Sequence, residues 1–263
     1  MSGAGIVEPL RGGTRPTADA AVPAPPGLLT IITVVYNGAG ALERTIQSVI
    51  AIRGHLVEYL VIDGGSHDGT TALLQRYNDR IAFWVSEPDR GLYDAMNKGW
   101  AAARPGSRIL YLGAGDEILT LPDDLASYGP RDVIYGDVEL GARLFRSVAG
   151  PGLRMINRLH HQALLVPKAL SPAPPFDLAY TVYADFDFNQ RLLKAGARFV
   201  RSEQLRARAL PGGLSSSFFV RESLAVVRKN FGPAWATVAA GYYLALGFKK
   251  GFGHLSFRDP RRR

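Results

Sequence analysis

The stretch LLTIITVVY, Leu28 to Tyr36, constrains this chain more than any other. It is a continuous β-branched apolar run with no polar alternation, the pattern of a parallel strand buried on both faces. Such a strand needs helices packed above and below it, and the following residues provide them. Asn37, Gly38 and Gly40 break the strand, and Leu42, Ile46, Val49 and Ile50 then recur at helical spacing across 41–52. A second strand is expected over 57–62, closed by Asp63, Gly64 and Gly65. A helix over 69–79 and a third strand over 81–85 follow. The charged stretch SEPDRGLYDAMNKGW, 86–100, opens the next helix, and a fourth strand over 108–112 ends in GAGDE.

Strands and helices alternating at this rhythm predict an α/β fold, a mainly parallel sheet with helices on both faces. In such sheets ligands bind at the carboxyl ends of the strands. Asn37 follows the first strand, Asp63 and Asp68 the second, Glu87 and Asp89 the third, Asp116 and Glu117 the fourth. An acidic rim repels phosphate directly, but it can hold a divalent cation that binds phosphate in turn. Asp116 suits that role, and Gly113 and Gly115 beside it let the backbone approach a bulky ligand. Asp63, a short acceptor among glycines, suits a base N–H or a ribose hydroxyl.

Composition narrows the partners. The chain has 263 residues, no cysteine and a net charge of +8. Without cysteine there is no disulfide, thiolate metal site or cysteine nucleophile, which fits a reducing cytosol. From Phe219 to Arg263 there are nine Lys or Arg against two acids, so this segment alone holds +7. The body is therefore nearly neutral, which speaks against nucleic-acid binding. Residues 1–27 are rich in Gly, Pro and Ala and are expected to form a mobile tail without a signal peptide. The RGGTR within it follows no buried strand, so it lacks the context of a phosphate loop. Beyond residue 130, strands are expected over 132–140 and 163–166 and an amphipathic helix over 185–195.

Four ordered segments, TIITVVYN, VIDGGSHDGT, SEPDRGLYDAMNKG and ILYLGAGDEI, resemble the nucleotide-sugar half of the family 2 glycosyltransferases. These are inverting enzymes of the GT-A fold, and the likeness is strongest to the branch that makes bacterial surface polysaccharides and glycolipids. It runs from Leu28 to at least Gly196. The resemblance implies a Rossmann-like GT-A domain over 28–212, followed by a helical extension over 213–263. It places Tyr36 and Asn37 beside the nucleotide, Asp63 on the base, and Gly64, Ser66 and Asp68 in the same loop. Gly91 would let the donor approach the backbone; Arg90 and Lys98 would offset phosphate charge, and Asp94 and Asn97 would bond ribose or sugar hydroxyls. A solvated Asp94–Lys98 pair is the plainer alternative for that helix face.

Asp116 resembles the metal-binding acid of the family's DxD-type motif, implying Mn²⁺ or Mg²⁺ as cofactor. Gly115 stands where the commoner pair has a second Asp, which leaves Glu117 as a further candidate ligand. His161 and Gln162, in LHHQALL, resemble a His-Gln element near the acceptor. Asp185, in YADFDFNQRLL, resembles the general base, with Asp187 as rival. The base must reach the acceptor hydroxyl, and partial burial would raise its pKa toward neutrality. The implied partners are a nucleotide-diphospho-sugar donor and a glycan or lipid-linked acceptor.

The segment AWATVAAGYYLALGF is short for a membrane span but is flanked by Lys and Arg. It suits either the membrane interface or a packed helix. The expected location is accordingly cytoplasmic, with peripheral attachment to the inner face of the cell membrane as an alternative. Two other functions fit parts of the pattern: a sugar nucleotidyltransferase, for which YNGAG lacks the arginine, and a nucleotide-sugar-binding partner without turnover.

Overall fold

The computed structural model describes residues 8–210, 218–250 and 255–256. In chain order its elements are β1 (Leu10–Gly12), β2 (Leu29–Val35), α1 (Ala39–Ile50), β3 (Val57–Asp63), α2 (Thr70–Arg76), β4 (Phe83–Ser86), α3 (Leu92–Ala102) and β5 (Arg108–Gly113). There follow β6 (Glu117–Thr120), β7 (Asp132–Leu140), β8 (Arg143–Phe145), β9 (Leu164–Pro167), α4 (Ala184–Lys194) and β10 (Arg198–Ala209). Last come β11 (Phe218–Phe219), α5 (Val220–Phe231), α6 (Pro233–Lys250) and β12 (Leu255–Ser256).

The main sheet runs β1-β4-β3-β2-β5-β9-β7-β10-β6, with β8 beside β7. Strands β4, β3, β2 and β5 are mutually parallel, so their carboxyl ends form one rim, as the alternation predicts. Strand β9 joins β5 antiparallel, and the second half is mixed: β7 runs parallel to β10, and β10 antiparallel to β6. Strand β2 is buried at every position. Its alternate side chains explain why: Leu29 and Ile31 pack with Leu42 and Ile46 of α1, whereas Ile32 and Val34 pack with Met96 and Trp100 of α3. Burying each such aliphatic side chain is worth about 1.5–3 kcal/mol. Both faces are thus covered, which a parallel strand requires.

One expectation is corrected. Residues 10–21 are not a tail: β1 pairs antiparallel with β4, and a 3₁₀ turn spans Thr17–Ala21. Glu58 of β3 is the reason, because a buried carboxylate needs a cation. Arg15 meets it at 2.7 Å, and both side chains are 5% exposed. The RGGTR segment therefore lies on a sheet edge, where Gly13 N–H donates to Asn78. The helices beyond 212 pack on the body, the packed-helix alternative of the sequence. Val220, Val226, Val227, Ala239 and Tyr243 join the core formed by α3 and α4. No described helix is long and apolar enough to cross a membrane. The stretch GGLS, 212–215, lies outside the described residues.

One glycine shapes the second half. Opposite β7, the register advances from Tyr135 to Asp137 while β10 advances from Arg201 to Arg206. The extra β10 residues arch over Gly136, where an added Cβ would lie 1.9 Å from the Leu205 carbonyl oxygen. The arch sets the register of the β10 end, and Leu210 beyond it reaches back to Asp116.

Candidate active site

The loops after β2 and β3 form one hydrogen-bonded platform. Asn37 has φ +48°, the sole non-glycine in the left-handed region among the described residues. Asn tolerates that conformation. Its N–H donates to Ser66 Oγ at 2.7 Å, and its Oδ1 accepts from His67 N at 2.9 Å. Asp68 accepts from Thr70 at both N and Oγ1, and from Ala39 N at 2.9 Å, tying the starts of α1 and α2 together. The Thr70 hydroxyl, then the Ala39 N–H, hold its carboxyl below the usual range.

Asp63 departs from the role the resemblance implies. It is 0% exposed. Its Oδ1 accepts from the Ser66 hydroxyl, and its Oδ2 accepts from Ser66 N at 3.0 Å and Ser86 Oγ at 2.5 Å. Three donors and full burial make it the organiser of the platform, not a group facing a base. Tyr36 is the opposite case, with 64% exposure at the rim.

The β4–α3 loop also redistributes its expected roles. Asp94 accepts from Arg90 at both its N (3.1 Å) and its guanidinium (2.8 Å), which fixes the loop instead of presenting a sugar ligand. The Arg90 hydrogen bond is what holds the Asp94 carboxyl low. Asn97 spends both ends of its amide on the Phe176 backbone. Lys98 binds the Pro88 carbonyl at 2.8 Å and Glu87 at 2.9 Å, so the Asp94–Lys98 pair does not form. Arg90 keeps an exposed guanidinium toward solvent. Gly91 has φ +109° with open space around it, so backbone conformation is what requires glycine there.

Asp116 sits at the β5 end and is 6% exposed. Its Oδ2 accepts from Gly113 N at 2.8 Å and Gln162 Nε2 at 3.1 Å, and its Oδ1 from Leu210 N at 3.1 Å. A carboxylate offers about four lone-pair sites, so one on Oδ1 is left for a cation. Gly115, at φ +97°, carries no ligand, and Glu117 is engaged by Arg208 at 3.5 Å. Among the described residues no three His, Asp or Glu gather as a metal cage. The arrangement suits a hard cation that brings phosphate and water as most of its ligands.

Gln162 is not free for an acceptor, because its Oε1 also lies 3.3 Å from His160 Nδ1. The short turn around it (3₁₀ over His161–Ala163) also carries His161. There His161 Nδ1 is 3.9 Å from Asp185 Oδ2. In the first turn of α4, Asp185 Oδ1 accepts from Phe186 N at 2.7 Å, and Asn157 Nδ2 lies 3.3 Å from its Oδ2. The Asn157 amide is oriented by its Oδ1, which accepts from Leu159 N and Asn189 Nδ2. Tyr93 donates to the Val182 carbonyl at 2.6 Å and lies 3.4 Å from Asp185. Burial, then the Asp185 charge, hold its phenol well above the usual value, so it stays protonated.

Asp187 separates cleanly from its neighbour. Its side chain is 0% exposed and meets Arg191 and Lys229 at 2.9 Å each, with Asn230 donating as well. It is a structural hub, whereas the Asp185 side chain keeps 19% exposure. Asn157, Tyr93 and His160 were not singled out from the sequence. Asn157 stands in a loop without periodicity, and nothing short of the packed structure could have flagged it.

His160 provides a pH test. Burial, then the charge of His161, lower its pKa below 6.5. The unfolded chain therefore binds more protons on this residue, so its contribution is complete above about pH 6.5 and is lost as pH falls toward the folded value. The unfolding temperature is expected to drop as the pH falls below about 6.5. His160→Gln should flatten that slope, as read by thermal melts across the pH range.

The profile described as "Glycosyl transferase family 2" matches residues 30–118. An uncharacterized glycosyltransferase of Mycobacterium tuberculosis is 37% identical over 116 residues, 41% of this chain and 44% of that protein. This chain thus spans less than half the length of that relative. A PGL/p-HBAD biosynthesis glycosyltransferase of the same species is 30% identical over 212 residues, 75% of this chain and 82% of that protein. Among solved structures, the mannosyltransferase PcManGT of Pyrobaculum calidifontis in complex with GDP-Man and Mn²⁺ superposes with a TM-score of 0.55. It is 19% identical, and the match covers 85% of this chain and 75% of that one, which speaks for a GT-A fold in both. On the strength of the family match and the mycobacterial relative aligned over 82% of its length, this chain belongs to glycosyl transferase family 2.

Proposed function

We propose that this protein is a metal-dependent inverting glycosyltransferase that moves a sugar from a nucleoside-diphosphate donor to a hydroxyl of a glycan or lipid-linked acceptor. One observation carries the reading: a single short turn joins the two chemistries. Gln162 holds Asp116 at the strand-end rim, and its neighbour His161 faces Asp185. This link through adjacent residues supports a proton acceptor working near a leaving-group site, as one displacement requires.

Asp185 takes the proton of the acceptor hydroxyl as that oxygen bonds to the anomeric carbon. The bond from that carbon to the β-phosphate oxygen breaks, its electron pair leaving with the nucleoside diphosphate, so one step inverts the centre. Asn157 and His161 hold the carboxylate in place, and Tyr93 fixes the turn before α4. Asp116 would hold a divalent cation, which would supply positive charge to the leaving diphosphate. Arg90 remains available to a phosphate. The relative named for PGL/p-HBAD biosynthesis supports a place in surface polysaccharide or glycolipid synthesis. Val238, Tyr242 and Leu244, exposed on α6, support peripheral contact with the inner face of the cell membrane.

Calorimetric titration with UDP, GDP and dTDP, each with and without Mn²⁺, tests the donor site. One nucleotide is expected to bind only with metal, and Asp116→Asn should weaken it by about tenfold or more. Failure of every nucleotide to bind would sink the proposal. Binding that ignores Asp116→Asn would remove only the metal ligand.

A further inference from the structure

With Asp63 wholly buried and its oxygens turned to Ser66 and Ser86, the donor site needs another group to read the base. The structure supplies one through an absence at Gly64. A Cβ added there would lie 2.3 Å from Asp89 Oδ2 and 3.4 Å from Tyr36 Cδ2. The Asp89 carboxylate therefore fills the volume that a side chain at position 64 would take, next to the exposed Tyr36 ring. Its Oδ1 is pinned by Gly91 N at 2.7 Å. Its Oδ2 accepts no bond among the described residues, and it is not among the buried unpaired atoms.

A fixed, solvent-facing carboxylate oxygen beside an aromatic face has a definite chemical preference. A base stacked on the ring presents its edge to that oxygen. Uracil and thymine offer a ring N–H there, and guanine offers a ring N–H with an amino group. Cytosine and adenine offer an unprotonated ring nitrogen, whose lone pair faces the carboxylate.

We propose that Asp89 is the specificity-determining residue of the donor site, its Oδ2 accepting the ring N–H of a uracil, thymine or guanine nucleotide stacked on Tyr36. The inference rests on the nucleotide-sugar reading above. It makes Gly64 and Asp89 a linked pair: the glycine vacates the position and the aspartate fills it from the next loop. Gly64 lies outside the left-handed region, so a side chain there is permitted by the backbone.

The test uses the full chain with Mn²⁺ and calorimetric titration of UDP, dTDP, GDP, CDP and ADP. The wild type is expected to prefer one of the first three. Asp89→Asn keeps an oxygen for Gly91 N–H and turns only the Oδ2 position into a donor. It should lower the preference for that nucleotide over CDP by about 10- to 100-fold. Asp89→Ala with Gly64→Asp returns a carboxylate to the same volume and should restore the preference, which loop disruption alone would not allow. A wild type that binds its nucleotide with an unchanged ratio in Asp89→Asn overturns this inference and leaves the proposed function standing. A wild-type preference for CDP or ADP does the same. A wild type that binds no nucleotide overturns both.

Discussion

Asp185→Asn is expected to lower turnover by about 100- to 10,000-fold, the usual contribution of a positioned general base. Nucleotide binding and the unfolding temperature should stay close to the wild type. The side chain faces His161 and Asn157 at a partly exposed position, and the amide keeps an oxygen for Phe186 N–H. What it loses is the capacity to take a proton. Asp187→Asn, two residues on, should behave in the reverse way. That carboxylate is wholly buried between Arg191, Lys229 and Asn230. Because both cations are about two-fifths exposed, the expected cost is modest, about 1–3 kcal/mol of stability. Turnover per folded molecule should survive. Steady-state transfer assays beside urea titrations separate the two, and loss of turnover in Asp187→Asn alone would reverse the assignment.

Gly136→Ala is expected to cost about 3 kcal/mol or more. The added methyl meets the Leu205 carbonyl oxygen, a backbone atom that cannot rotate away. Either the arch of β10 flattens or β7 shifts, and both break pairing that β10 makes with β7 and β6. The damage should also reach the site, because Leu210 N–H bonds Asp116 at the end of that strand. Gly40→Ala is the control: it lies in α1, nothing crowds it, and removing a helix glycine should stabilise by about 0.5–1 kcal/mol. An urea midpoint for Gly136→Ala equal to that of the wild type would refute the arch as a structural constraint.

The parallel half of the fold was legible because its signal is local. An apolar run such as LTIITVV permits only a strand covered on both faces, and the glycines after each strand mark the rim. Strands β1 and β10 were not anticipated, since LRG and RFVRSEQLRARA carry charges at strand spacing and owe their places to partners far along the chain. Arg15 illustrates the difficulty, as nothing nearby says that Glu58 awaits it.

The candidate site divides in the same way. The residue types at the strand ends, the choice of Asp116, and Asp185 as a candidate base are written in short contiguous motifs. Which carboxylates are spent on the protein itself is not, because that depends on donors brought in from other elements. Asp63 meets Ser86, Asn97 meets Phe176, and Asp187 meets Lys229 and Asn230 only once the sheet and helices are packed. The sequence by itself determined the parallel half of the sheet, its acidic rim and the family. Tertiary structure alone decided which acids remain open to a ligand, since an oxygen's availability is set by every donor that folding places within 3 Å of it.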